Sequence, residues 1–148
     1  MNRAANGAAA GAIAAAVWAA QQPLDKRVFG CDYDDVELLG KLVTRGSGWR
    51  PIGLAMHLGN GAFFGAVESS VRDRLGLAAL PAALAAAVAE HVGLWPMGRI
   101  SDRFHPARRE LPRLTGNRAA FAQATWRHLL FGAILGVVEG RFNPPRGS

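Results

Sequence analysis

A chain of 148 residues suits one domain, and half of it is apolar, which alone does not separate soluble from membrane classes. Seventeen Lys and Arg against eleven Asp and Glu give +6 at pH 7, a balance open to nucleic acid, to anionic lipid, or to basic loops that orient a membrane protein. Cys31 is the single cysteine, which excludes an intrachain disulfide and a cysteine-rich metal site.

Alanine, glycine and leucine gather into four blocks and the charges gather between them, so the mean hydropathy of +0.09 averages two unlike populations. From Ala4 to Leu24 no residue is charged, a run long enough to cross a bilayer core as a helix. Asn2-Arg3 before an alanine-rich stretch also fits a secretory signal, with Ala14 to Ala16 as its small-residue cleavage site, although the basic start is weak for one. Loop one, Asp25 to Arg50, contains Asp32, Asp34, Asp35 and Glu37, then Leu38, Leu39, Leu42 and Val43 at helical spacing. Asp34 with Glu37 three residues on predicts a capped start to a short amphipathic helix. The same carboxylates could hold a divalent cation, but the calcium-loop glycine is missing and the spacing is wrong; an acidic first turn favoured by the helix dipole is the simpler reading.

Pro51 to Val67 is uncharged apart from titratable His57, and Leu75 to Ala89 is uncharged until Glu90-His91 interrupts a run that resumes to Gly98. Loop three follows, with Pro106, Glu110, Pro112 and a turn at Gly116-Asn117. Phe121 to Gly140 is the weakest of the four blocks, because Arg127 and His128 divide it. A central arginine costs about 2.5–3.5 kcal/mol on insertion.

The predicted fold is therefore all-α: four transmembrane helices at about 4–23, 51–70, 79–98 and 121–140, with the short helix in loop one, in one integral membrane domain. A soluble four-helix bundle is the alternative. Its amphipathic helices would carry charges every third or fourth residue on an outer face, and Ala4 to Leu24 carries none. Loops one and three hold eleven Lys and Arg, against five elsewhere (Arg3, Arg72, Arg74, Arg141, Arg146) with Arg127 set aside, which predicts cytoplasmic loops one and three and outside termini. Trp18, Trp49, Trp95 and Trp126 all lie nearer those loops, as an interfacial belt would.

His57-Leu-Gly-Asn-Gly-Ala-Phe-Phe-Gly-Ala-Val-Glu68 and His128-Leu-Leu-Phe-Gly-Ala-Ile-Leu-Gly-Val-Val-Glu139 agree at seven of twelve positions. Trp18, Asp25, Trp49 and Arg50 recur as Trp95, Asp102, Trp126 and Arg127 at an offset of 77, the His and Glu pairs at 71. This pattern predicts two copies of a helical hairpin, residues 1–75 and 76–148, related by an axis along the membrane normal. Eleven helical residues turn through about three revolutions plus 20°, so His57, Gly61, Gly65 and Glu68 share one stripe, as do His128, Gly132, Gly136 and Glu139. Small residues four apart let backbones approach, which makes each stripe a helix contact; Gly7 and Gly11 offer span one a similar surface. Glu90-His91 falls midway down span three, and Glu90 is the expected salt-bridge partner of Arg127.

Three readings cover the buried polar set His57, Glu68, Glu90, His91, Arg127, His128 and Glu139. They are hydrogen-bonding contacts between helices, or a path for protons or a small ion, or, for His57 and His128, opposed ligands of a metal or haem. Gly-xxx-Gly contacts leave little room for a macrocycle, and no cofactor is predicted. Ordinary enzyme signals are lacking: no Walker loop, no zinc-binding His-Glu-xx-His, and Ser69-Ser70 reads as a span end. Loop three lacks the interleaved aromatics of a nucleic-acid surface, so lipid is the expected partner, with a homo-oligomer or larger membrane complex compatible with the glycine stripes.

Alanine-rich spans, an early tryptophan at Trp18, and Glu and His within the spans together resemble the small four-span bacterial inner-membrane proteins of the YagU type. The resemblance covers most of the chain, rests on no diagnostic motif, and implies only the location and the fold class.

Overall fold

The structure, a computed structural model, describes residues 2–144, so Arg146 lies outside the described residues. The fold is all-α, with no strand among the described residues. In chain order the helices are α1 (Arg3–Phe29), α2 (Asp35–Val43), α3 (Trp49–Leu75), α4 (Ala79–Leu94), α5 (Gly98–Phe104) and α6 (Arg118–Phe142), with a 3-10 turn at Trp95–Met97 between α4 and α5.

Local chemistry sets these bounds, and several differ from expectation. The Asn2 side chain accepts from the Ala5 amide to start α1, which then continues past the predicted end at 23. Pro23 removes one backbone bond without stopping the helix, so Asp25, Lys26 and Arg27 belong to α1, where the two cations favour its C-terminal dipole. Gly30, at φ 61°, takes the left-handed conformation that ends it. Asp34 starts α2 and accepts from the Glu37 amide at 3.0 Å. Helix α4 ends at Leu94, short of the expected 98, where the chain tightens around Pro96 and re-enters helix as α5, for which the loop-three sequence predicts nothing.

Helix α1 packs on α3 and α6, α4 packs on α6, and α2 lies on α3; α3 and α4 meet at only a few points. The α1/α3 seam is closest. A Cβ added at Gly7, Gly11 or Gly65 would strike a carbonyl oxygen across it, and one at Gly61 would lie 2.5 Å from the Ala15 Cβ. On α6, Gly132 and Gly136 face α4, where an added Cβ would lie 3.0 Å from the Ala83 oxygen and 2.6 Å from the Leu80 Cα. Gly40 and Gly53 join α2 to α3 in the same way, outside the glycine stripes predicted above.

Among the described residues only α6 is long and apolar enough to cross a membrane by length and composition. That reverses the expected ranking, in which the first block is clearest and the fourth weakest. Alanine is barely hydrophobic and α1 also carries Gln21 and Gln22, whereas α6 concentrates Leu129, Leu130, Ile134, Leu135, Val137 and Val138 beyond its arginine. The interior is correspondingly unusual. Among the described residues, of the six largest fully buried side chains only Leu135 is apolar; the others are Arg127, Gln123, Glu139, Asp25 and Ser69. Phe63, Val28 and Leu24 meanwhile lie on the outside, 74%, 71% and 65% exposed.

Candidate functional site

Arg127, wholly buried on α6, donates Nε and Nη2 to the two carboxylate oxygens of Asp25, each at 2.6 Å. Nη1 donates to Asp35 at 2.7 Å, and Nη2 also donates to the Tyr33 carbonyl at 2.9 Å. The planar guanidinium matches a carboxylate bidentately, the strongest form of this contact. Glu90, the expected partner, does not reach it. That carboxylate stands on α4 with 38% of its side chain exposed, 3.8 Å from His128 Nε2. The extension of α1 past Pro23 carries Asp25 into the interior, and α2 folds back to bring Asp35; those two movements decide which carboxylates meet the arginine.

Most of the remaining polar atoms of this cluster are matched to one another, the buried Gln123 Oε1 being left without a partner among the described residues. Asp35 accepts from Trp18 Nε1 at 3.0 Å and from the Tyr33 hydroxyl at 2.5 Å, and Asp25 accepts from Gln123 at 2.7 Å and Gln21 at 2.5 Å. Burial opposes ionisation of Asp35, but Arg127 and the Tyr33 hydroxyl outweigh it and hold the carboxyl below its ordinary range. Burial, reinforced by the Asp35 charge, pushes the Tyr33 hydroxyl well above its own. Asp34 caps α2 and pairs with Lys26 at 2.6 Å, and Glu37 pairs with Lys41, so of the acidic run only Asp32 stands exposed without a partner among the described residues. Asp102, which the repeat relates to Asp25, instead accepts the Leu114 and Thr115 amides at 2.8 Å each, and Arg50, related to Arg127, is exposed against Trp49.

Beside this cluster lies a cavity of about 330 Å³. Its walls come from α1, α3, α4 and α6, with Leu38 and Leu39 of α2 and Met97 and Gly98 near α5 at the loop end. His57, Glu90, His91 and His128 all line it. Each imidazole has one nitrogen fixed. His57 Nε2 donates to the Ala15 carbonyl at 3.2 Å, and His128 Nδ1 donates to the Ala124 carbonyl at 2.8 Å. Thr125 gives its one hydroxyl proton to the Phe121 carbonyl, so it accepts from His91 Nε2 at 2.9 Å. The other nitrogens, His57 Nδ1, His91 Nδ1 and His128 Nε2, make no hydrogen bond among the described residues.

Aromatic contacts order the rings. Trp18 meets His57 and His128 edge-on, at 5.2 and 4.8 Å between centroids, and His91 lies tilted on His128 at 4.7 Å. Each of the two stripe histidines packs on the indole, and their bonded nitrogens meet carbonyls on separate helices, Ala15 on α1 and Ala124 on α6. No group of three or more His, Cys, Asp or Glu among the described residues is placed to hold a metal ion.

At the far end of the bundle the two stripe glutamates differ. Glu139 accepts from Ser69 at 2.9 Å, from Asn143 at 2.8 Å and from Arg72. Those three donors all meet one oxygen of Glu139; its other oxygen and both oxygens of Glu68 are buried without a hydrogen-bond partner among the described residues, and Glu68 lines a second cavity of about 290 Å³ with Val67, Val71, Leu77 and Ala82. Phe64 lines both cavities. Nothing in the stripes points to Ser69, Arg72 or Asn143 as partners of Glu139. Asp25 and Arg127, by contrast, are both positions that recur in the repeat, a signal that could have paired them.

No family model, curated protein or solved structure matches this chain.

Proposed function

We propose that this chain is a small integral membrane protein spanning the bilayer with α1, α3, α4 and α6, held together by the Arg127 and Glu139 clusters, with the histidine cavity as its working site. The observation that carries this reading is the mixed polarity: charged and amide side chains share the interior with alanines, Trp18, Phe131 and Leu135, while many large apolar side chains face outward. Hydrocarbon favours that arrangement, because polar groups there find partners only inside the bundle. Loop three supports cytoplasmic placement of loops one and three, since all six of its arginines are exposed. Leu42 and Val43 of α2 are exposed as well, which suits a helix lying at the membrane interface. A bacterial inner membrane is the location that the YagU-type resemblance favours. The test is fractionation: the protein stays with membranes through an alkaline carbonate wash, and its recovery in the supernatant without detergent would overturn the reading.

A second reading, passage of protons or a small ion, is favoured by the three imidazoles that each leave one nitrogen unbonded along a single cavity. Its signature is flux in proteoliposomes that His57→Ala and His128→Ala abolish. Wild-type rates in both variants would remove it.

A further inference from the structure

Acceptors and aromatic faces predominate in the cavity lining. In the neutral rings, the unbonded nitrogens of His57, His91 and His128 are lone pairs, because the ring proton already points at a backbone or hydroxyl oxygen. Glu90 adds a carboxylate with no hydrogen bond among the described residues and only the loose His128 contact. Two of the donors that line it are already taken, since the Trp18 indole and the Tyr33 hydroxyl both point at Asp35, which leaves Asn60, Trp95 and Ser101 as lining donors without a hydrogen bond among the described residues. Arg127 does not line the cavity; it stands behind Asp35 of the wall and faces two carboxylates, so that cluster carries a net negative charge. Trp18, Phe64, Trp95 and Phe131 supply aromatic walls, whose faces attract cations.

We infer that the cavity binds a small aromatic or alkyl ammonium: a protonated amine whose N–H groups reach the imidazole lone pairs and Glu90 while its apolar body lies against the tryptophan and phenylalanine rings. This rests on the cavity being the working site and names what it takes. A volume of about 330 Å³ suits a single-ring amine and is small for an extended drug-like cation. The cavity lies beside the α3/α4 gap, where Asn60 is an exposed lining residue and where those two helices barely meet, which gives an amphiphile a lateral way in.

The test is calorimetric titration of the detergent-solubilised full chain with phenethylammonium, 2-phenylethanol and phenylacetate at neutral pH. Phenethylammonium should bind, the alcohol at least about tenfold more weakly, and the carboxylate not measurably. Glu90→Gln should weaken ammonium binding about tenfold or more, Asn60→Asp at the mouth should tighten it, and Asp73→Asn, which removes a carboxylate that lines neither cavity, should leave it unchanged. Asn60 is exposed, so its variant keeps the test open if Glu90→Gln does not fold. Equal affinity for alcohol and ammonium, indifference to both cavity substitutions, or no binding at all would overturn the inference. Each of these results is independent of membrane fractionation and of flux, so failure here is distinguishable from failure of the spanning model.

Discussion

The Arg127 cluster and the histidine cavity share a wall, yet they treat polar atoms in opposite ways. Around Arg127 nearly every donor meets an acceptor: two carboxylates, a carbonyl, two glutamines, an indole and a phenol close on one another. A few ångströms away, three imidazoles each keep one nitrogen unengaged and Glu90 stands half open. Mutual satisfaction is what a buried ionic group needs to be tolerated, and it leaves nothing over for a ligand. Groups left unsatisfied beside an accessible space are the ones available for chemistry. The contrast divides the polar residues of the chain into those that hold the bundle and those that face something else.

The largest effect should come from breaking the matched cluster. Arg127→Leu leaves Asp25 and Asp35 without a counter-charge and should cost about 3–5 kcal/mol in unfolding measured in detergent, whereas Glu90→Gln should change stability by much less. Equal losses would erase the distinction between the two regions. Next, a methyl group in the tightest seam: Gly11→Ala drives a Cβ into the Gly61 carbonyl and should cost about 1–3 kcal/mol, with Gly132→Ala on the looser α4/α6 seam costing less. Asp34→Ala removes the cap of α2 and the partner of Lys26, and should lower thermal stability by about 1 kcal/mol.

Acid sharpens the comparison further. Because Asp35 is held below the ordinary carboxylate value of 3.8 when folded, its stabilisation is fully present at neutral pH and is lost as pH falls below that value through the folded one. Thermal unfolding followed from neutral to acid pH should therefore show a smaller acid loss for Asp35→Asn than for the native chain. Smallest of all is Glu110→Gln. Its links to Lys41 and Arg45 lie on the surface, and no measurable shift is expected.

Much of the architecture was readable from residue order. Uncharged alanine-glycine blocks mark the long helices, and Asp34 with Glu37 marks the start of α2, because both signals are local. Two kinds of fact were not readable. One is the choice of partner for Arg127, which depends on α1 persisting through Pro23 and on α2 folding back, and no window of sequence reports either. The other is the unlike fate of Glu68 and Glu139. They occupy equivalent places in similar stripes, but the hydroxyl of Ser69 and the amide of Asn143 reach only Glu139, and that is decided by how three helix ends converge. The membrane-span ranking failed for a simpler reason: alanine gains little on transfer to hydrocarbon, so an uncharged run of it is less hydrophobic than the absence of charge suggests.

The bond between Asp25 and Arg127 joins residues 102 positions apart. While the chain emerges from the ribosome, Asp25 and Asp35 are made early and must wait, uncompensated, until nearly the last helix has been synthesised. The α1/α3 and α2/α3 seams can form before α6 is made, but Asp25 and Asp35 have no Arg127 to meet until then, and completion of α6 is the step that locks the assembly. A chain cut before Arg118 should be held open and degraded, and supplying α6 as a separate peptide should rescue it.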